Sequence, residues 1–144
     1  MNSIPLVDDE AAICVKFART LEGVGFRVEV APTVESGPSR AETARFDAIL
    51  VEFNVRSERE AHPRSGNGLK VIRQIRKLGE TVPILIFTAM KGEFYETASL
   101  DAGADDFLPK AASIPKLVSR LRAHIRKHEQ GANYLSTEQK RVSI

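Results

Sequence analysis

Polar side chains stand where four short apolar runs of this sequence end. They are two adjacent acids, a single acid, a hydroxyl and an amine: Asp8 and Asp9, Glu52, Thr88 and Lys110. If the runs are parallel strands, their carboxyl ends meet at one edge of a sheet, where ligands bind. Three carboxylates there repel one another unless a cation neutralises them, which indicates Mg²⁺, Lys110 or both. The hydroxyl and the ammonium could then hold the oxygens of a phosphoryl group.

The apolar pattern predicts the elements that position these side chains. Strands are predicted over residues 4–7, 26–31, 48–52, 82–87 and 106–108. Helices are predicted over 10–21, 33–45, 68–78, 93–102 and 113–127, and we expect the second to start after Pro38 because proline disrupts a helix interior. Strands that alternate with helices favour the α/β class, here a five-stranded parallel sheet with helices on both faces.

Length and composition bound the function classes. With 144 residues, 42% of them hydrophobic, the chain has room for one domain, which we place at residues 1–128. A net charge of only +2 does not indicate a nucleic-acid coat or a polybasic membrane binder. The single cysteine, Cys14, excludes an internal disulfide and falls on an apolar helix face. The sequence has no long apolar run that would suggest a membrane partner, so a cytoplasmic location is expected.

Residues 54–67 are polar, charged and rich in turn-forming residues. We find no apolar face in them to bury, so they are predicted to form a long mobile loop beside Glu52. The arginines of this loop could cover the acidic pocket or contact a partner.

Taken together, these residues resemble the receiver domain of two-component response regulators over residues 4–127. The matching residues are Leu6-Val7-Asp8-Asp9-Glu10, the strand into Glu52 with Asn54 two positions later, Thr88-Ala89, and Gly103-Ala104-Asp105-Asp106-Phe107 leading to Lys110. The resemblance implies the flavodoxin-like (βα)5 receiver fold. It also implies a sensor histidine kinase as partner and Mg²⁺, weakened here, as cofactor.

The resemblance assigns a role to each matching position. Asp8 and Asp9 correspond to Mg²⁺ ligands beside the acid at 52, and the backbone carbonyl of Asn54 would complete the coordination. Thr88 corresponds to the hydroxyl that follows the phosphoryl group, and Lys110 to the counter-charge. Phe107 corresponds to the aromatic that reorients with Thr88, although a packed aromatic is the simpler interpretation of its position.

Glu52 stands where the family has its phosphoacceptor aspartate. One extra methylene moves the carboxylate by roughly an ångström, and a misplacement of that size can cost about a hundredfold in rate. The longer side chain extends toward Lys110 and Thr88, into the space that a phosphoryl group would fill. Three interpretations stay open: a structural salt bridge with Lys110, a partial mimic of the phosphorylated state, and a true phosphoacceptor.

Two further stretches depart from the family pattern. Proline usually follows the lysine, whereas Pro109 precedes Lys110 here, so we expect a rebuilt loop. Residues 129–144 are predicted to be a linker or the truncated start of a winged-helix output domain, with a strand-like pattern over 133–144. Any contact with DNA would then be made only by the missing domain. The alternative is a flexible tail on a stand-alone receiver.

The resemblance also suggests a two-fold homodimer through the fourth helix, the fifth strand and the fifth helix. Its ion-pairing residues would be Asp105, Asp106, Arg120 and Arg122. The predicted function is an atypical receiver that controls a DNA-binding output by dimerising, with little or no dependence on phosphorylation, and is not an enzyme. The alternative is a Mg²⁺-dependent phosphoacceptor or phosphohydrolase that uses Asp8, Asp9 and Glu52.

Overall fold

The computed structural model of the chain describes residues 2–43, 45–59 and 66–142. Within these ranges strands and helices alternate. The elements are β1 (Asn2–Val7), α1 (Ala11–Gly23), β2 (Phe26–Ala31), α2 (Ser36–Thr43), β3 (Ile49–Val51), α3 (Asn67–Lys77), β4 (Ile84–Thr88), α4 (Glu93–Ala102), β5 (Asp106–Pro109) and α5 (Ile114–Val142). The predicted α/β class is confirmed.

The strands form one five-stranded parallel sheet in the order β2-β1-β3-β4-β5. Leu6 of β1 lies beside Leu50 of β3, and Val51 of β3 lies beside Ile86 of β4. The chain runs outward from β1 to β2 and then returns to β3 on the other side of β1. In open parallel sheets the crevice beyond the strand ends at such a reversal is the usual ligand site. Asp8 and Glu52 follow the two strands that flank it.

Helices cover both faces of the sheet, and each face has its own buried cluster. Leu50 of β3 packs with residues of α1 and α5, such as Leu21 and Leu121. Its neighbours Ile49 and Val51 point the other way, because successive strand residues alternate, and pack in the cluster that contains residues of α3. β3 is therefore buried on both faces, as its run of branched aliphatic residues predicted.

Helix α2 begins at Ser36, so the prediction that it would start after Pro38 is wrong. The reason is a reciprocal pair of hydrogen bonds. The Ser36 N–H donates to Thr33 Oγ1 at 3.2 Å, and the Thr33 N–H donates to Ser36 Oγ at 3.0 Å. These hydrogen bonds fix the backbone that leads into the helix, which starts two residues before Pro38. Pro38 then falls in the first turn, where its missing N–H breaks no helical hydrogen bond.

The end of the chain also differs from the prediction. Residues 129–144 were expected to be a linker or the start of an output domain, strand-like over 133–144, but the backbone of α5 is one helix of 29 residues that ends at Val142. Assignment of residues 129–144 to an output domain stays a prediction. Despite the length of α5, none of the helices in the described part of the chain is both long and apolar enough to cross a membrane.

The first part of the segment after β3 is packed, contrary to the expectation that it had no apolar face. Val55 is fully buried, and Ser57 is also buried. The Glu35 carboxylate fixes this part of the segment, since it accepts hydrogen bonds from Ser57 Oγ at 2.6 Å and from the Glu58 N–H at 2.8 Å. The predicted mobility concerns residues 60–65 as well, which lie outside the described residues.

Gly68 lets the first turn of α3 meet the end of β3. Its N–H donates to the Phe53 carbonyl oxygen at 2.9 Å. A Cβ at this position would overlap the Glu52 carbonyl oxygen and would lie 3.0 Å from Phe53 Cα. The backbone on both sides of the Glu52 side chain therefore depends on a residue without a Cβ.

Replacing Gly68 with alanine should destabilise the fold by about 1 to 3 kcal/mol, because backbone must move to admit the methyl group. Urea denaturation followed by circular dichroism measures the loss. Gly23→Ala is the matched control, since nothing lies within 4 Å of a Cβ there. Equal stability of the two variants would contradict this prediction, because it would show that the backbones of α3 and β3 can move apart to admit the methyl group at no cost.

Candidate functional site

The Lys110 ammonium lies between two acids at the carboxyl end of the sheet. Its Nζ is 2.8 Å from Asp8 Oδ2 and 3.7 Å from Glu52 Oε1. The three side chains are only 13%, 2% and 8% exposed, in the order Lys110, Asp8 and Glu52. The Lys110 N–H donates to the Thr88 carbonyl oxygen at 2.6 Å and so fixes the start of the turn after β5. The structure thus brings together four of the residues singled out in the sequence.

The Glu52 carboxylate is held on several sides. Its Oε2 accepts a hydrogen bond from the Phe53 N–H at 2.9 Å, and the Thr88 side chain lies near enough to lower the pKa of Glu52. Thr88 is fully buried, and its Oγ1 accepts the Met90 N–H at 3.3 Å. The hydroxyl and the ammonium that the sequence predicted for a phosphoryl group therefore both lie beside the Glu52 side chain.

Burial raises the pKa of Glu52 above its ordinary value, and this effect exceeds the opposing effects of Thr88 and Lys110. Burial by itself lowers the pKa of Lys110, but the hydrogen bond and charge of Asp8, with the charge of Glu52, raise it overall. These directions agree with the distances, because Lys110 is closer to Asp8 than to Glu52. Lys110 is therefore a permanent cation whose principal partner is Asp8.

The donor groups do not fit Mg²⁺ as they are arranged. Asp8 Oδ2 pairs with Lys110, and its Oδ1 accepts the Glu10 N–H at 3.0 Å. Within the residues that the structure describes, no group of three or more His, Cys, Asp or Glu side chains is placed to hold a metal ion. The metal-ligand role of Asp8, Asp9 and Glu52 stays a prediction. The ammonium takes the place of the neutralising cation.

Asn54 has a role that the sequence did not predict. Its side-chain Oδ1 accepts the Gly66 N–H at 3.1 Å and joins the two described ends of the segment between β3 and α3. The proposed role of its backbone carbonyl as a metal ligand stays a prediction.

The aromatic contact next to the acid involves a residue other than the predicted switch. Phe107 is half-buried and packs against the cluster on the α3 side of the sheet. The buried ring of Phe53, directly after Glu52, makes an edge-to-face contact with Tyr95 of α4 at 5.2 Å between centroids. Tyr95 in turn contacts Phe94 at 5.3 Å. No sequence pattern could have paired Phe53 with Tyr95, because their contact depends on where α4 lies.

The two acids predicted for the dimer face have partners inside the chain. Asp105 Oδ2 is 2.9 Å from Arg76 Nη2, in a salt bridge that links the residue before β5 to α3. Asp106 Oδ2 is 3.1 Å from Arg120 Nη1 and 3.0 Å from His124 Nε2, both in α5. Each acid therefore ties together elements of one chain.

Arg122 lies apart from these groups. Its Nη2 donates to the Val24 carbonyl oxygen at 3.1 Å, and its guanidinium lies 5.8 Å from the centroid of the Phe26 ring. Both contacts are at the turn between α1 and β2, whereas Arg120 contacts β5. The structure therefore does not place the two arginines on one face.

The sheet order, the helices on both faces and the acids at the strand ends define a flavodoxin-like α/β domain with a polar site at its topological switch point. Residues 4–122 match the response regulator receiver domain family. The chain therefore belongs to the receiver domains of two-component response regulators.

Known proteins support this membership. The chain is 37% identical to the KDP operon transcriptional regulatory protein KdpE of Escherichia coli strain K12 over 129 aligned residues. The aligned part covers 89% of this chain and 53% of KdpE. The chain thus spans about half the length of that relative.

Solved structures share the fold. A CheY-like response regulator receiver domain protein from Methanospirillum hungatei superimposes with a TM-score of 0.78 at 23% identity, covering 91% of this chain and 98% of that one. The receiver domain of the sensor histidine kinase PA1611 from Pseudomonas aeruginosa gives a TM-score of 0.73 at 27% identity, covering 86% of this chain and 97% of that one. The latter structure has magnesium coordinated in its active-site cleft.

The raised pKa of Glu52 gives a stability prediction with a defined sign. The folded chain holds the proton of the Glu52 carboxyl group more tightly than the unfolded chain does, because its pKa is above the ordinary value of 4.5. The free energy of unfolding therefore falls as pH rises from 4.5 through the raised pKa. Glu52→Gln removes the titration. The free energy of unfolding of the wild type, relative to this variant, should therefore decrease as pH rises above 4.5, as measured by urea denaturation across pH.

Glu22→Gln, at an exposed position of α1, is the control and should leave the pH profile parallel to that of the wild type. An unchanged or increasing difference between the wild type and Glu52→Gln with rising pH would contradict the burial argument.

Proposed function

We propose that this chain is an atypical receiver domain whose output depends little or not at all on phosphorylation. The observation that supports the proposal is the position of the Glu52 carboxylate beside Thr88, with Oε2 accepting the Phe53 N–H at 2.9 Å and Oε1 at 3.7 Å from Lys110 Nζ. The hydroxyl and the amine that would hold a transferred phosphoryl group are already occupied. The site then has one fixed state in place of an exchange between two.

The charge of this state differs from that of a phosphorylated site. Glu52 contributes at most one negative charge, whereas a phosphoryl group carries about two at neutral pH and offers three acceptor oxygens. Glu52 therefore acts mainly as the acid of a salt bridge with Lys110 and reproduces only part of a phosphorylated state. Of the three interpretations that the sequence left open, the contacts favour the structural salt bridge.

The proposed output is a DNA-binding domain beyond this chain. Support comes from KdpE, which is named as a transcriptional regulatory protein and of which the chain matches about half. We further propose a cytoplasmic location, a sensor histidine kinase as upstream partner and homodimerisation. For the predicted face of α4, β5 and α5, Asp105 and Asp106 would have to exchange their internal partners for those of a second copy.

The phosphoacceptor or phosphohydrolase alternative has less support. It requires Asp8, Asp9 and Glu52 to act together on a metal-bound phosphoryl group, whereas Asp8 is paired with Lys110. The carboxylate of Glu52 also faces Thr88 and Lys110 and so lies where the phosphoryl oxygens would be.

Shortening the acid should restore the transfer chemistry. With acetyl phosphate and Mg²⁺, Glu52→Asp should gain the mass of one phosphoryl group at least about a hundredfold faster than the wild type, because the carboxylate withdraws by one methylene. Intact-protein mass spectrometry measures the gain, and Glu52→Gln is the unreactive control. Equal rates for the wild type and Glu52→Asp would contradict the proposal, as would no reaction in either.

Removing the ammonium should favour metal binding. Lys110→Met leaves the buried acids without their cation, so Mg²⁺ should bind more tightly to this variant than to the wild type. Isothermal titration calorimetry with magnesium chloride measures the affinity, and circular dichroism checks the fold. Lys16→Met on the exposed side of α1 serves as the control. Equal Mg²⁺ affinity in the wild type and Lys110→Met would show that Lys110 does not compete with the metal.

A further inference from the structure

Helix α3 presents a row of cations without partners among the residues that the structure describes. Its residues Val71, Ile72 and Ile75 are buried against the sheet. Helical spacing therefore places Lys70, Arg73 and Lys77 on the outer side, and all three are exposed. None of these three side chains has a hydrogen bond or ion pair in the described part of the chain. Their charges are available to another molecule.

Helix α4 presents the opposite charge beside an exposed aromatic ring. Glu93 and Asp101 are exposed and lack cationic partners among the described residues. With Phe94, Thr97 and Ala98 they line a shallow groove of about 410 Å³ on one side of α4. Phe94 is 74% exposed, the largest exposure among the large apolar residues described. An exposed aromatic ring flanked by charges is a frequent feature of protein interfaces.

The two helices are neighbours that run in the same direction. Both follow strands of one parallel sheet, and Arg76 of α3 donates hydrogen bonds to the Gly103 carbonyl oxygen at the end of α4 at 3.1 and 3.0 Å. Each helix begins at the carboxyl end of the sheet. Lys70 to Lys77 span about 10 Å along α3, and Glu93 to Asp101 span about 12 Å along α4, at a rise of about 1.5 Å per residue. The two charged rows thus have matching length and height.

A surface with a cationic helix beside an acidic helix is complementary to a second copy of itself under two-fold symmetry. Rotation by a half turn about an axis parallel to the helices places α3 of one copy against α4 of the other, and the reverse. Both pairs of opposite charges then form at once, with the Phe94 rings between them. A single positive or negative surface would not have this property, because two copies of it would repel each other.

We propose that the α3–α4 face, defined by Lys70, Arg73, Lys77, Glu93, Phe94 and Asp101, is an interface between two copies of this chain. It extends the proposed dimerisation by naming its surface, and it does not depend on the chemistry of Glu52. It also differs from the face of α4, β5 and α5, whose predicted charged residues are engaged within the chain.

Charge exchange tests the proposal on the whole chain by sedimentation equilibrium at low salt. One variant combines Lys70→Glu, Arg73→Glu and Lys77→Glu, and the other combines Glu93→Lys and Asp101→Lys. Each alone should dimerise with a Kd at least about tenfold higher than the wild type, since like charges then meet across the interface. An equimolar mixture of the two should regain dimers, because each mismatched helix meets its complement in a heterodimer.

Two more variants separate this interface from other arrangements. Phe94→Ser should weaken the dimer without changing its dependence on salt, whereas Arg120→Glu should leave the dimer intact. A wild type that stays monomeric at high concentration would overturn the inference. Dimers that persist in both charge-reversed variants would also overturn it. Dimers that are disrupted by Arg120→Glu and by none of the other variants would overturn it as well. The last outcome would preserve the proposed dimerisation and move it to the face of α4, β5 and α5.

Discussion

The organisation of the acid site depends on one buried ammonium group. Lys110 Nζ lies 2.8 Å from Asp8 Oδ2 and 3.7 Å from Glu52 Oε1, in a place where an isolated charge would be costly. Without it, two acids at the ends of neighbouring strands would face each other with little solvent. The Lys110 backbone is fixed in turn by its hydrogen bond to Thr88. The cation thus joins the ends of β1, β3, β4 and β5 in a single contact network.

The length of the Glu52 side chain decides what that network can do. The carboxylate accepts the N–H of its own neighbour, Phe53, and also interacts with Thr88 and Lys110. An aspartate in the same backbone would end one methylene earlier and would withdraw from the hydroxyl and the ammonium. Under the proposed function, the extra methylene places the carboxylate in the space that a transferred group would otherwise use. This change affects chemistry and leaves the sheet unaltered, because β3 packs through Ile49, Leu50 and Val51.

The sheet and its site could be predicted because they depend on local pattern and on topology. An apolar run that ends in a charged residue specifies both a buried strand and a functional group at its end. The start of α2 could not be predicted in this way, since it depends on the reciprocal hydrogen bonds of Thr33 and Ser36. The helical backbone of α5 beyond residue 128 was missed because an alternating pattern was interpreted as a strand. The partners of Asp105 required knowledge of where Arg76 lies.

Helix geometry alone bears on the residues predicted for the dimer face. Arg120 and Arg122 are two residues apart in α5, so their side chains project about 200° from each other around the helix axis. They cannot serve one flat surface, and the structure shows Arg120 at β5 and Arg122 at the turn between α1 and β2. Residues three and four positions apart can share a face, as Lys70, Arg73 and Lys77 do on α3. Charged residues in a helix therefore indicate an interface only when both their spacing and their freedom from internal partners allow it.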